Sequence, residues 1–112
     1  MKLGRLDPQP PQRTPFRLSH QKFVPRLPGC YALCTFEDEV LYVGLAVDLC
    51  RRLGQHIDNP QKTAETPQGR AVWFYWLETK DLNKVERTWL NIHIEHEGKL
   101  PPLNRAYSPT AT

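Results

Sequence analysis

The chain has 112 residues, 24% of them charged and 39% hydrophobic, with a formal net charge of +3. That length fits one domain with a modest buried core. No apolar run approaches the roughly 20 residues that cross a bilayer, and no apolar stretch follows the N-terminal basic residues as in a secretory signal. The expected setting is therefore soluble and cytoplasmic. The three cysteines, Cys30, Cys34 and Cys50, are odd in number and lack Cys-x-x-Cys spacing. Reduced thiols are expected rather than a disulfide framework or a zinc site.

Charge is unevenly spread. Residues 1–28 carry six basic side chains against one acidic, the remainder nine against eleven. Pro8, Pro10, Pro11, Pro15, Pro25 and Pro28 crowd the same stretch, and proline at that density interrupts helices and sheet ladders. The expectation is an extended, basic arm over 1–27, with Phe16, Leu18, Phe23 and Val24 available to pin it to a body spanning 28–107. Such an arm either meets a polyanion or only aids solubility.

From Cys30 to Phe36 the residues suit a strand, as do Val40 to Val43, with Glu37-Asp38-Glu39 as the turn of a hairpin. Whether Tyr31 and Tyr42 share a face depends on a register that the sequence leaves open. Residues 46–57 predict a helix, with Leu45, Leu49, Leu53 and Ile57 as an apolar stripe and Asp48, Arg52 and His56 as a polar one beside it. Polar residues 58–70 read as a loop. Ala71 to Leu77 is an aromatic run without polar alternation, as in a strand covered on both faces. A second helix follows, capped by Asp81, with Leu82, Val85, Trp89, Ile92 and His96 at core spacing, and stopped by Gly98. Pro101-Pro102 ends any continuation, and 108–112 reads as a disordered tail. The order implies an α+β fold, a three-stranded, mostly antiparallel sheet flanked by helices.

Gly29-Cys30-Tyr31 and, after the hairpin, Tyr42-Val43-Gly44 resemble the two halves of the signature of the GIY-YIG nuclease superfamily. Members carry an arginine ten residues beyond the second tyrosine, often a histidine four further on, then a glutamate early in a later helix and an asparagine in a Pro-Leu-Asn-like segment. Arg52, His56, Glu86 and Asn104 stand at those places, so the resemblance covers roughly residues 28–105. It implies a metal-dependent endonuclease that hydrolyses DNA and leaves 5′-phosphate and 3′-hydroxyl ends. Tyr31, Tyr42, Arg52, His56, Glu86 and Asn104 become the candidate catalytic residues.

The chemistry is consistent with that set. Phosphodiester hydrolysis needs an ion that polarises phosphate oxygens, a base for water and a cation to stabilise developing charge. Glu86 is the candidate anchor for Mg²⁺ or Mn²⁺, because such an ion keeps several waters and takes oxygens from substrate. Arg52 offers a planar fork to phosphate, or a partner for Asp48. His56 either orients a tyrosine, assists proton transfer or packs on the sheet. The resemblance implies that one tyrosine takes the proton from water while the other orients or contacts phosphate, in an order that the residues leave open. Asn104 closes the site or makes a turn beside the prolines.

Arg51 and Gly44 in the body, with Arg17, Lys22 and Arg26 on the arm, are the expected contacts to duplex or branched DNA. Targeting is left to a protein partner, and the oligomeric state is not set. Leu45 follows the second motif where relatives often have Lys, Ser or Thr. That change motivates an alternative, a DNA-binding or adaptor module with weak catalysis. His93 and His96 lack the arrangement of a metal site, and the aromatic run at 73–76 suits a core better than a stacking surface.

Overall fold

A computed structural model describes residues 1–105. The sheet has four strands, not three: β1 (Gln12–Pro15), β2 (Gly29–Cys34), β3 (Val40–Ala46) and β4 (Trp73–Glu78), in the order β1-β4-β2-β3. All pairings are antiparallel. The added strand comes from the segment expected to be an extended arm. Gln-Arg-Thr-Pro shows no apolar alternation and ends in proline, so nothing in it signals a strand. It pairs because β4 presents an open edge, and an outer strand tolerates proline.

Helix α1 (Leu49–Ile57) packs on one face of the sheet and α3 (Leu82–Glu97) on the other. Between α1 and β4 lies a short helix, α2 (Pro60–Thr63), in the stretch expected to be loop. Leu45, assigned above to a helical stripe, is a strand residue. The helix begins only after Asp48, whose carboxylate accepts from the Arg51 N–H at 3.0 Å as its N-cap. The buried stripe of α3 is Val85, Glu86, Trp89, Leu90 and His93, and His96 is exposed. Gly98 closes α3 in the left-handed region with φ 75°.

Residues 1–24 belong to the body. Leu3 and Leu6 are buried in the layer beneath α3 with Trp89 and Leu90, and Phe16 and Val24 are buried in the layer beneath α1. The Trp89 indole N–H donates to the Pro8 carbonyl at 2.8 Å. A 3-10 turn at Leu18–Phe23 is held on α1 by Gln21, whose amide donates to the Cys50 carbonyl at 2.8 Å. The anchors are thus Leu3, Leu6, Phe16 and Val24, whereas Leu18 and Phe23, expected to pin the segment, are 60% and 61% exposed. All three cysteines are free and buried. The expected tail at 108–112 lies outside the described residues.

Leu6→Ala should therefore behave as a core truncation and lower unfolding free energy by about 2–5 kcal/mol, measured by urea denaturation. An unchanged midpoint would show that the N-terminal segment is dispensable to the fold.

Candidate active site

The β2–β3 register places Tyr31 opposite Gly44 and Leu33 opposite Tyr42. Cross-strand partners and alternate residues share a face, so both tyrosines project toward α1. Gly44 makes this possible. A Cβ there would stand 2.5 Å from the Tyr31 hydroxyl oxygen and 2.9 Å from Tyr42 Cε2, so the hydroxyl occupies the space a side chain would fill. Gly29 is constrained from the opposite direction, since its Cβ would run into the Leu77 carbonyl and lie 2.7 Å from Leu49 Cδ1. Each glycine of the two tripeptides answers a close approach.

Tyr31 is fully buried and stacked on Phe74, with centroids 5.1 Å apart. Its hydroxyl lies 2.5 Å from His56 Nε2. Tyr42 meets the same imidazole edge-on at 5.2 Å and the Tyr31 ring at 6.0 Å. Burial lowers the His56 pKa to about 3, and the charges of Arg52 and Lys62 push it the same way. Burial likewise raises Tyr31 well above the ordinary tyrosine value, with the Tyr42 charge adding to the rise and Arg52 opposing it. The Tyr31–His56 hydrogen bond therefore joins two neutral groups. Tyr42 is half-buried. Its pKa is also raised by burial, while its interaction with the Tyr31 hydroxyl and the charge of Arg52 both oppose the rise.

Arg52, partly exposed on α1, is thus electrostatically coupled to Tyr31, Tyr42 and His56 together. Arg52 and Arg51 line a shallow cleft with Val47, Asp48 and Gln55. The Asp48 carboxylate is already engaged, by the cap and by Arg26 at 3.1 Å. Arg26, expected to contact DNA, is therefore ion-paired at the rim of this cleft, while Arg17 and Lys22 are exposed on and beside the 3-10 turn.

Lys62 was absent from the sequence reading. Its ammonium lies 4.4 Å from the centroid of the Tyr42 ring. Its pKa is lowered by desolvation and then by Arg105. Helix α2 places it there: the Asn59 side chain accepts from the Gln61 N–H at 2.9 Å, with Pro60 in the first turn. Asn-Pro is a helix-start signal, and it was legible in a segment dismissed as loop.

Glu86 lies on α3, across the sheet from α1, and is fully buried. Its charge raises the pKa of Cys30, Tyr31 and Tyr42, which puts it within electrostatic reach of the tyrosine pair. Among the described residues no cluster of three or more His, Cys, Asp or Glu could enclose a metal. Burial, and then the Glu86 charge, push the Cys30 thiol up to about 12. A single hard carboxylate fits an ion that keeps most of its waters, as Mg²⁺ or Mn²⁺ does.

Asn104 accepts from the Val43 N–H at 2.8 Å and donates to the Val43 carbonyl at 2.9 Å. Its amide acts as one rung of a ladder on the outer edge of β3, between Tyr42 and Gly44. Leu45 is buried in the layer beneath α3, on the face of the sheet away from the tyrosines. His93 is buried, its Nδ1 2.7 Å from the Lys99 carbonyl.

The profile of the GIY-YIG catalytic domain matches residues 27–97, more than half of the chain. The chain belongs to the GIY-YIG nuclease family. A stretch of 42 residues, 38% of the chain, is 48% identical to the UvrABC system protein C of Finegoldia magna, of which it covers 7%. The GIY-YIG match begins after β1 and the turn at Leu18–Phe23, so those elements are additions to the matched region. No helix among the described residues is long and apolar enough to cross a membrane.

A depressed folded-state pKa for His56 has a definite pH consequence. The unfolded state binds the proton more tightly, so stability is full above the ordinary histidine value and falls as pH drops from about 6.5 to about 3. In a nitrogen-15 NMR titration His56 should stay neutral through pH 5. Protonation of its ring near pH 6.5 would contradict the buried, cation-flanked placement.

Proposed function

We propose that this GIY-YIG domain is a metal-dependent endonuclease that hydrolyses DNA phosphodiesters by attack of an activated water. The observation that carries the reading is the Tyr31–His56 hydrogen bond, set beside Tyr42 and within the field of Arg52. A phenol joined to a neutral imidazole can receive a proton on oxygen while passing its own to nitrogen. Tyrosine alone is ionised at only about one part in a thousand at neutral pH, and the relay removes the need for a standing phenolate.

In this reading Tyr31 accepts the proton of the attacking water as its own proton moves to His56 Nε2. In the resting protein His56 is a weak base, held neutral by burial and by two cations. A phosphodiester seated against Arg52 and Lys62 brings the negative charge that cancels their effect on the ring. The base therefore gains strength when DNA is in place. Tyr42, with Arg52 stabilising its oxygen, orients the phosphate, and Lys62 supplies a further ammonium to it. Glu86 would hold the divalent ion, Mg²⁺ or Mn²⁺, whose chemistry when bound is to polarise phosphate oxygens and ease departure of the leaving oxygen. Asn104 positions the edge of β3 so that Tyr42 and Gly44 keep their register.

DNA, duplex or branched, is the proposed substrate, with Arg51 and the cleft beside it contacting its backbone. Because the matched segment is a small part of the bacterial relative, a role in DNA repair and a protein partner that selects the target are likewise proposals. The relative is by name a protein of the UvrABC system.

Supercoiled plasmid incubated with the protein and Mg²⁺ or Mn²⁺ tests the reading. Nicking is expected, and Glu86→Ala and Arg52→Ala should each lower its rate by about a hundredfold or more. Binding without nicking, across both metals and with branched as well as plain duplexes, would leave only a DNA-binding module. Lys62→Met should lower the rate by about tenfold or more, the size of a lost charge-assisted contact. Retention of full activity would remove Lys62 from the phosphate site.

A further inference from the structure

The 3-10 turn at Leu18–Phe23 lies outside the GIY-YIG match, yet it is fixed to the helix that carries Arg52 and His56. Besides the Gln21–Cys50 hydrogen bond, the Cys50 N–H donates to the Pro25 carbonyl at 3.1 Å and the Leu49 N–H to the Leu27 carbonyl at 3.0 Å. Gln21 Nε2 would be 2.6 Å from a Cβ at Gly54, so the turn sits tightly along α1. Held this firmly, it still leaves an aromatic ring outside the core. Phe23 is 61% exposed. The His20 ring lies 5.8 Å from it and the Lys22 ammonium 5.4 Å from its centroid.

The positions along α1 tell where this ring stands relative to the site. At 100° per residue, Arg52 lies on one flank of the helix and Cys50 and Gly54, which meet the turn, on the other. Between them the outer surface carries Arg51, and the cleft containing Arg51 and Arg52 reaches Asp48, whose charge is answered by Arg26. Arg52, Arg51 and, through Asp48, Arg26 thus gather at one cleft, and Arg26 shares with Lys22 and Phe23 a short segment whose Pro25 and Leu27 carbonyls are held on α1. A backbone of phosphates suits these cations, and the exposed aromatic face beside Lys22 suits an unpaired base. In duplex DNA the faces of the bases are stacked and closed to such a ring.

We infer that Phe23, flanked by His20 and Lys22, is a stacking platform for an unpaired base of a single-stranded extension, which makes the substrate class DNA with a junction between paired and unpaired strands. This rests on the reading of the Arg52 site as the place where DNA is held, and it adds to that reading the form of DNA preferred. The apolar exposure and the cations belong to one ligand, a nucleic acid strand, whose bases and phosphates they match separately.

Fluorescence anisotropy on the full chain in EDTA, where no divalent ion supports cleavage, tests this directly. The probes are a blunt duplex and the same duplex carrying an unpaired 3′ or 5′ extension. The wild type should bind one of the extended duplexes about tenfold more tightly than the blunt one, the size of one base–aromatic stack. Phe23→Ala should abolish the preference and leave blunt-duplex affinity and the thermal transition unchanged, whereas Phe23→Trp should keep it. Equal affinity of the wild type for all three probes would overturn the inference and leave the ring to a protein partner. An equal loss on blunt and extended probes in Phe23→Ala would overturn it too. Because binding is read without turnover, plasmid nicking without this preference sinks only the platform, and the preference without nicking sinks only the nuclease reading.

Discussion

Much of the site depends on one steric arrangement, the Tyr31 hydroxyl lying over Gly44 where any other residue would place a carbon. From that position the hydroxyl crosses the neighbouring strand and reaches His56 on α1, so a side chain on β2 is bonded to one on the helix after β3. Phe74 stacks behind the ring and Tyr42 flanks it. Two strands, a helix and the ring behind them are thereby referenced to a single oxygen atom. The proposed proton relay requires close placement, which the packing of an antiparallel sheet would supply without a dedicated loop.

The electrostatics follow from the same burial. Taking Tyr31 and His56 out of water disfavours the charged form of each, so the hydrogen-bonded pair rests neutral. Burial first, and then Arg52 and Lys62, hold the imidazole neutral. In the proposed reaction a cation that suppresses the base, and is itself neutralised by substrate, would link binding to reactivity by simple charge balance.

The hairpin, the aromatic strand and both principal helices were legible because each rests on a local signal, a hydrophobic period or a turn, whereas the candidate residues on them came from the resemblance to a family. The face shared by the tyrosines was not, since register is decided by pairing between strands. Here the hairpin turns through Asp38 at φ 65° and the pairing shifts between Leu33 and Cys34, features that no short window reports. Residues 12–15 join the sheet through a partner some sixty positions away, so their own composition said arm. The α1 stripe was extended too far back because Leu45 fits helical spacing as well as it fits the strand it occupies. Lys62 was passed over because composition outweighed an explicit helix-start signal at Asn59-Pro60.

The closing of β4 by β1, and of the α3 layer by Leu3 and Leu6, has a temporal side. The N-terminal residues pack against a strand and a helix far along the chain. Without α3, Leu3 and Leu6 lack Trp89 and Leu90 as neighbours, and without β1 the outer edge of β4 is unpaired. Contacts of such long sequence separation slow folding and leave apolar surface exposed in the interim. The N-terminal strand and its two leucines thus act as a latch across the sheet edge and the layer beneath the helix that bears Glu86.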